Sequence, residues 1–133
     1  MSGSVQQLRV AITTSDYHGL VAFYRDALGV EIEEQWDNEQ GLGTILAMGR
    51  ATLEVFNEQQ AASVDQIEVG QRVSGPFRFA LEVPDVDAAV ERAVAHGATL
   101  VHAPVVTPWG DRNARIAAPD GLQITLFQVM GRS

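Results

Sequence analysis

The sequence predicts an α+β fold, in which two tandem βαβββ modules form a curved mixed sheet around a pocket. Two pairs of similar segments support this prediction. Leu8 to Ile12 matches Phe77 to Leu81 type for type, and Leu53 to Asn57 matches Ile124 to Gln128. A helix signal follows the first segment of each pair at the same distance. Segments that recur in the same order at nearly the same spacing indicate a duplicated unit.

The first module starts with a strand over 8–13, where large apolar residues alternate with smaller or polar ones. Ser15 and Asp16 then offer an N-cap for a helix. The apolar face of this helix and its closing glycine are Leu20, Phe23, Tyr24, Ala27, Leu28 and Gly29. Strands over 30–36, 42–48 and 51–56 complete the module.

The second module repeats this order. A strand over 77–83 precedes Asp85, which caps a helix that ends at Gly97. The inner face of this helix is Val86, Ala89, Val90, Ala93 and Val94. Three further strands are predicted over 98–102, 112–117 and 122–129. Pro104 and Pro108 bracket an irregular stretch that carries Trp109, and Pro119-Asp120-Gly121 supplies the last turn.

These elements predict one domain over 5–130, with module one at 7–57 and module two at 76–129. The segment 58–75 between the modules is polar and ends at Gly75-Pro76. We expect this linker to be a long connection without regular structure, and such connections are often functional or mobile.

Composition excludes several classes of function. The chain has 133 residues, no cysteine and a formal net charge of −8, and its nine basic residues are all arginine. The arginines are scattered, whereas nucleic-acid binders show a basic patch, so we expect no nucleic-acid partner. No apolar run approaches the roughly 20 residues of a membrane span, and no secretory signal is visible, so we expect no membrane association and a cytoplasmic protein.

Alternation along the strands separates two faces of the sheet. One face packs under the helices, through Leu8, Val10, Ile12, Leu53, Val55, Phe77, Phe79, Leu81, Ile124 and Leu126. The other face carries Arg9, Glu54, Arg78 and Thr125, which should point into a single cavity related by a pseudo-twofold axis. Such a mixed face suits a pocket better than a core. The aromatic candidates for ligand walls are Phe56, Phe127 and Trp109, with Trp36 as a further one.

Three motifs point to a known family. They are Ala22 to Val30, Phe79 to Asp87, and Trp109-Gly110 with Pro119-Asp120-Gly121. The chain resembles the vicinal oxygen chelate superfamily, which includes glyoxalase I, extradiol dioxygenases and bleomycin-resistance proteins. The resemblance covers roughly Leu8 to Gln128 and implies this fold and a pocket. It does not single out one activity, because the fold hosts many chemistries.

The resemblance also implies where metal ligands would lie. Metal-dependent members usually have a histidine in each first strand and a carboxylate in each fourth strand, and these positions are Arg9, Glu54, Arg78 and Thr125 here. Only Glu54 keeps a ligand type, since arginine has no lone pair to donate. The histidines, His18, His96 and His102, form no cluster in the sequence. We therefore expect no metal and no cofactor.

Three classes of function remain open. The first is a metal-independent small-molecule binding protein. The second is a metal-independent lyase or isomerase, with Glu54 as catalytic base and Arg9 and Arg78 holding an oxyanion. The third is a metal-dependent glyoxalase or dioxygenase. The group Arg9, Glu54 and Arg78 is either a structural ion-pair cluster or an anion site. We expect a small organic ligand and a homodimer.

Overall fold

The computed structural model of the protein describes residues 5–22, 24–25, 31–118 and 121–131. The strands in these residues are β1 Gln7–Thr13, β2 Ile32–Asn38, β3 Gly41–Met48, β4 Ala51–Phe56, β5 Phe77–Glu82, β6 Thr99–Val106, β7 Asp111–Ala117 and β8 Gln123–Val129. The helices are α1 Tyr17–Ala22, α2 Glu58–Glu68 and α3 Val86–Ala95.

The strands form one curved mixed sheet in the order β2-β3-β4-β1-β5-β8-β7-β6. Within each module the first strand runs parallel to the fourth, so β1 pairs with β4 and β5 pairs with β8. The two first strands pair antiparallel at the centre of the sheet and join the modules. The predicted α+β fold with two βαβββ modules is therefore confirmed.

Each module has its own apolar cluster on one face of the sheet. In module one, Leu46, Leu53 and Val55 pack with Tyr17 and Val21 of α1. In module two, the cluster consists of Val83, Val86, Val90, Ala114, Ile116 and Leu126. The Asp85 carboxylate accepts a hydrogen bond from the backbone N–H of Ala88, which confirms the predicted cap of α3.

Two residues assigned to the covered face are open to solvent. Phe77 is 53% exposed and Leu8 is 36% exposed. The sequence prediction for these two residues was wrong in degree, because they lie on the two central strands. The helices pack elsewhere: α1 contacts β4, and α3 contacts β6, β7 and β8.

The linker contains a helix, which corrects the expectation of a connection without regular structure. Helix α2 begins after Asn57, whose side chain accepts a hydrogen bond from the backbone N–H of Gln60. Two of its buried residues, Asp65 and Glu68, are acidic. Apolar periodicity is therefore weak along this helix, which is why it was not predicted from the sequence. Helix α2 contacts β3, β4, β6 and β7.

Strand β6 also departs from prediction. It continues through Pro104 to Val106 with two register shifts, where we expected an irregular stretch. Because β6 lies at the edge of the sheet, a proline without a backbone donor is tolerated there. Trp109 lies in the turn after this strand and is 49% exposed.

Parts of two predicted features lie outside the described residues. These parts are Phe23 and 26–30 of the first predicted helix, and Pro119 and Asp120 of the last turn. Within the described residues, no helix combines the length and the apolar character that crossing a membrane requires.

Candidate functional site

The sheet encloses a cavity of about 540 Å³ on the face opposite the two apolar clusters. All seven residues selected from the sequence line this cavity. They are Arg9, Glu54, Phe56, Arg78, Trp109, Thr125 and Phe127. The structure thus brings these residues together because all but Trp109 occupy positions of one strand face. Their function as ligand-binding residues remains a prediction.

The floor of the cavity is ordered by strand register. Ala11 of β1 is the Cα partner of Glu54 on one side and of Arg78 on the other. A carboxylate and a guanidinium group therefore flank a small methyl side chain. Ala11 itself is only 3% exposed and packs with Ala61 and Val64 of α2, so it does not line the cavity.

Glu54, Ala11 and Arg78 form one row across the sheet, and a second row of three residues runs beside it. Ala80 of β5 is the Cα partner of Arg9 and of Thr125. Charged or polar residues again lie on both sides of an alanine. The two rows show the pseudo-twofold relation expected from the duplicated sequence, with an arginine from each first strand.

Glu54 is buried and has no direct partner among the residues that the structure describes. Its side chain lies on β4 and the residue is 9% exposed. Burial raises the pKa of the Glu54 carboxyl, and the nearby positive charges of Arg78 and Arg9 offset this only in part. Glu68 and Glu34 raise the pKa further.

The two arginines have other partners. Arg78 Nη1 donates to Thr125 Oγ1 over 2.8 Å. Arg9 Nε donates to Gln7 Oε1 over 3.0 Å, and its guanidinium lies 4.7 Å from the centre of the Phe127 ring. In the part of the chain that the structure describes, neither arginine makes an ion pair with Glu54 within 4.0 Å. A directly bonded Arg9–Glu54–Arg78 cluster, one of the two sequence-based interpretations, is therefore absent there.

An ion-pair cluster does exist, but its members come from α2 and β7. Arg115 Nη1 lies 2.9 Å from Asp65 Oδ1, and Arg115 Nη2 lies 2.9 Å from Glu68 Oε1. The Arg115 side chain is fully buried. Thr125 Oγ1 donates to the same Glu68 oxygen over 2.7 Å. Thr125 thus connects this cluster to Arg78 and holds that arginine in place.

One wall of the cavity is aromatic. Trp36 of β2 donates from Nε1 to Gln60 Oε1 of α2 over 2.9 Å. Its ring meets Phe56 edge to face, with ring centres 6.1 Å apart. The indole lies against Gly43, where the space that a Cβ atom would occupy is already taken by the ring. A fixed indole beside Phe56 can provide a flat apolar contact for a ligand.

A comparison with known families assigns the fold to one of them. A model of the Glyoxalase/Bleomycin resistance protein/Dioxygenase superfamily matches residues 6–126. The chain belongs to this superfamily. A search of the curated proteins finds no match to this glyoxalase superfamily member.

Solved structures share the glyoxalase superfamily fold. A hypothetical protein of Bacillus halodurans C-125 is 14% identical with a TM-score of 0.72, covering 98% of this chain and 99% of its own. The methylmalonyl-CoA epimerase of Mycobacterium tuberculosis is 23% identical with a TM-score of 0.67, and coverage is 96% and 91%. A Streptomyces coelicolor methylmalonyl-CoA epimerase variant, in complex with 2-nitronate-propionyl-CoA, is 22% identical with a TM-score of 0.66, covering 98% and 100%. At these identities the likeness concerns the fold.

The residues present do not fit the divalent metal that many glyoxalase superfamily members bind. Of the four positions that carry ligands in metal-dependent members, Arg9 and Arg78 have no lone pair to donate. Thr125 uses its hydroxyl hydrogen for Glu68 and accepts from Arg78. Among the described residues, no three histidine, cysteine, aspartate or glutamate side chains form a group that could hold a metal ion.

Sequence reasoning missed part of the site. Asp65 and Glu68 lie on the same face of α2, three residues apart, and Arg115 and Asn113 alternate along β7. The strand register could have indicated Arg115, because it is the direct partner of Thr125 in the β7–β8 pair. Asp65 and Glu68 had no usable signal, because the helix that carries them was not predicted.

Proposed function

We propose that this protein binds a small organic ligand in its concave cavity without a resident divalent metal. The observation that carries the proposal is Glu54, a buried carboxyl group that faces the cavity and has no ion-pair or hydrogen-bond partner among the described residues. A buried ionisable group without a partner costs free energy, and a ligand that supplies a hydrogen-bond donor would recover part of it.

The size and lining of the cavity support this proposal. A volume of about 540 Å³ lies within the range of ligand pockets, roughly 300–1,000 Å³. Phe56, Trp36 and Phe127 supply apolar surface, while Arg9, Glu54 and Arg78 supply polar contacts. A few polar groups among apolar walls are typical of sites that fix the orientation of a small molecule.

Native mass spectrometry of untagged, gently purified protein tests the proposal directly. We expect a mass without metal, together with a retained organic adduct in part of the population. Stoichiometric Ni, Zn, Fe or Mn would contradict the metal-free part of the proposal. The same spectrum reports the number of subunits and so tests the predicted homodimer.

A second candidate function is metal-independent proton transfer, as in a lyase or an isomerase. The specific observation in its favour is that the Glu54 carboxyl faces the cavity and that burial raises its pKa, which makes it a stronger proton acceptor than an ordinary carboxylate. Glu54 would remove a proton next to a carbonyl, and Arg9 and Arg78 would stabilise the oxyanion that forms.

Deuterium exchange separates the two candidates. Some proteins of this fold are named methylmalonyl-CoA epimerases, so methylmalonyl-CoA is a suitable carbon acid to offer in D₂O. Proton transfer predicts loss of the C2–H signal in ¹H NMR with wild-type protein and no loss with Glu54→Gln. A Glu54→Gln variant that exchanges as fast as wild type would exclude Glu54 as the base.

A further inference from the structure

We propose that the ligand is a zwitterion that carries a protonated amino group and a carboxylate, with the amino group at Glu54 and the carboxylate at Arg78. This inference rests on the proposed ligand-binding function and names the chemical class of the ligand. It starts from the two opposite charges that the sheet holds on either side of Ala11.

The spacing of the two charged residues leaves room for such a group. Glu54 and Arg78 lie on strands that both neighbour β1, so their Cα atoms are roughly 10 Å apart, twice the distance between paired strands. Their charged groups do not come within 4.0 Å of each other. Ala11 between them contributes only a methyl group. An ammonium and a carboxylate on one carbon atom could therefore lie between the two side chains, in the cavity that both of them line, and contact both.

Both hydrogen-bond donors and hydrogen-bond acceptors of the described residues remain unused around the cavity. Arg78 uses one nitrogen, Nη1, for Thr125, and its other N–H groups have no acceptor among the described residues. On the acceptor side, Glu54 has no donor there. Asn113 Oδ1 is also buried without a donor from the described part of the chain, while the Nδ2 atom of the same side chain donates to Glu68.

A ligand that carries a single charge would pair with the unused donors or with the unused acceptors, but not with both. An anion at Arg78 would leave the Glu54 carboxyl and Asn113 Oδ1 unpaired, and a cation at Glu54 would leave the Arg78 donors unpaired. Leaving a buried charged partner without its counterpart is costly. A zwitterion supplies a positively charged donor for Glu54 and a negatively charged acceptor for Arg78 together.

The remaining charges of the lining also disfavour a purely anionic ligand. Glu33 and Glu34 line the cavity in addition to Glu54, against the two arginines Arg9 and Arg78. Glu68 lines it as well, but Arg115 is paired with that carboxylate. The lining thus has an excess of negative charge, which attracts the ammonium end of a ligand.

The aromatic wall suggests what the zwitterion carries. Phe56 follows Glu54 by two residues on the same strand face, and Trp36 meets Phe56 edge to face. A planar or apolar substituent next to the charged group would lie against these rings. The expected class is therefore an α-amino acid or a related zwitterion with an apolar side chain.

Three matched probes test the inference with the full chain. L-Phenylalanine carries both charges, phenethylamine lacks its carboxylate, and 3-phenylpropanoate lacks its amino group. Affinities are measured by saturation-transfer NMR and isothermal titration calorimetry at neutral pH. We expect L-phenylalanine to bind at least about tenfold more tightly than either single-charge probe. The reason is that each additional charge contact should lower the dissociation constant by about that factor.

Two variants assign each charge to its residue. Glu54→Gln should weaken L-phenylalanine about tenfold and leave 3-phenylpropanoate unchanged or slightly tighter, because the repelling carboxylate is gone. Arg78→Met should weaken L-phenylalanine and 3-phenylpropanoate but not phenethylamine. Arg50→Gln, at an exposed position outside the cavity lining, is the control and should bind all three probes as wild type does. Thermal unfolding of each variant checks that it is folded.

The possible failures are distinguishable from failure of the proposed function. If 3-phenylpropanoate binds as tightly as L-phenylalanine and Glu54→Gln changes neither, the pocket takes anions and the zwitterion inference is wrong. If no probe binds but native mass spectrometry retains another organic adduct, the inference is wrong and ligand binding stands. If no probe binds and no adduct is retained, both proposals are wrong.

Discussion

Replacing Asp65 by asparagine should destabilise the protein, because it removes the negative charge of a carboxylate that is buried on α2. The Asp65 side chain is 1% exposed. Its oxygens accept hydrogen bonds from the backbone N–H groups of Val73 and Ser74, each over 2.8 Å, and from the Ser74 hydroxyl over 2.7 Å. Arg115 and Arg72 lie at 2.9 and 3.0 Å. Asp65→Asn keeps the size of the side chain and removes its charge.

The size of the expected loss in the free energy of unfolding follows from the pKa of Asp65. Burial raises this pKa, but the hydrogen bonds from Ser74 and Val73 and the charge of Arg115 outweigh burial and lower it from 3.8 to about 2. At about 1.4 kcal/mol per tenfold change in proton affinity, the ionised carboxylate contributes about 2 kcal/mol to the free energy of unfolding. This contribution is fully present above the unfolded-state pKa and is lost as pH falls through the folded-state pKa.

Urea unfolding of wild type and Asp65→Asn, followed by circular dichroism, measures this difference. We expect the variant to be about 2 kcal/mol less stable at neutral pH, and the difference to shrink to about half near pH 3. The exposed Asp37, changed to asparagine, is the matched control and should alter stability by less than about 0.5 kcal/mol. A difference between wild type and Asp65→Asn that is below 0.5 kcal/mol at neutral pH, or that does not decrease with acid, would refute the reasoning.

Two further predictions concern the aromatic wall and a helix cap. Gly43→Ala should displace the Trp36 indole, because the new methyl group overlaps the ring. We expect a shifted Trp36 emission spectrum and weaker ligand binding. An unchanged spectrum would mean that the ring is not held against Gly43. Asp85→Ala should cost about 1 kcal/mol in thermal or urea unfolding, since it removes the acceptor for the N–H of Ala88. Asp85→Asn should restore most of this loss, and equal stability of both variants would argue against a capping function.

Local patterns in the sequence were sufficient for the sheet and for most of the cavity floor. The duplicated segments predicted two modules, and β4 was predicted with its observed ends, Ala51–Phe56. Alternation placed Arg9, Glu54, Arg78 and Thr125 on the face that forms the cavity. These features are set by neighbours one or two residues apart in a strand, so the sequence displays them directly.

Features that depend on contacts between distant segments needed the tertiary structure. Helix α2 buries Asp65 and Glu68, and these carboxylates are stable there because Arg115 is supplied by β7. The same pairing connects Thr125 and Arg78 to that cluster and leaves Glu54 without a direct partner among the described residues. Which carboxylate each arginine pairs with depends on the folded packing of α2 against the sheet, and hydrophobic periodicity contains no information about that choice.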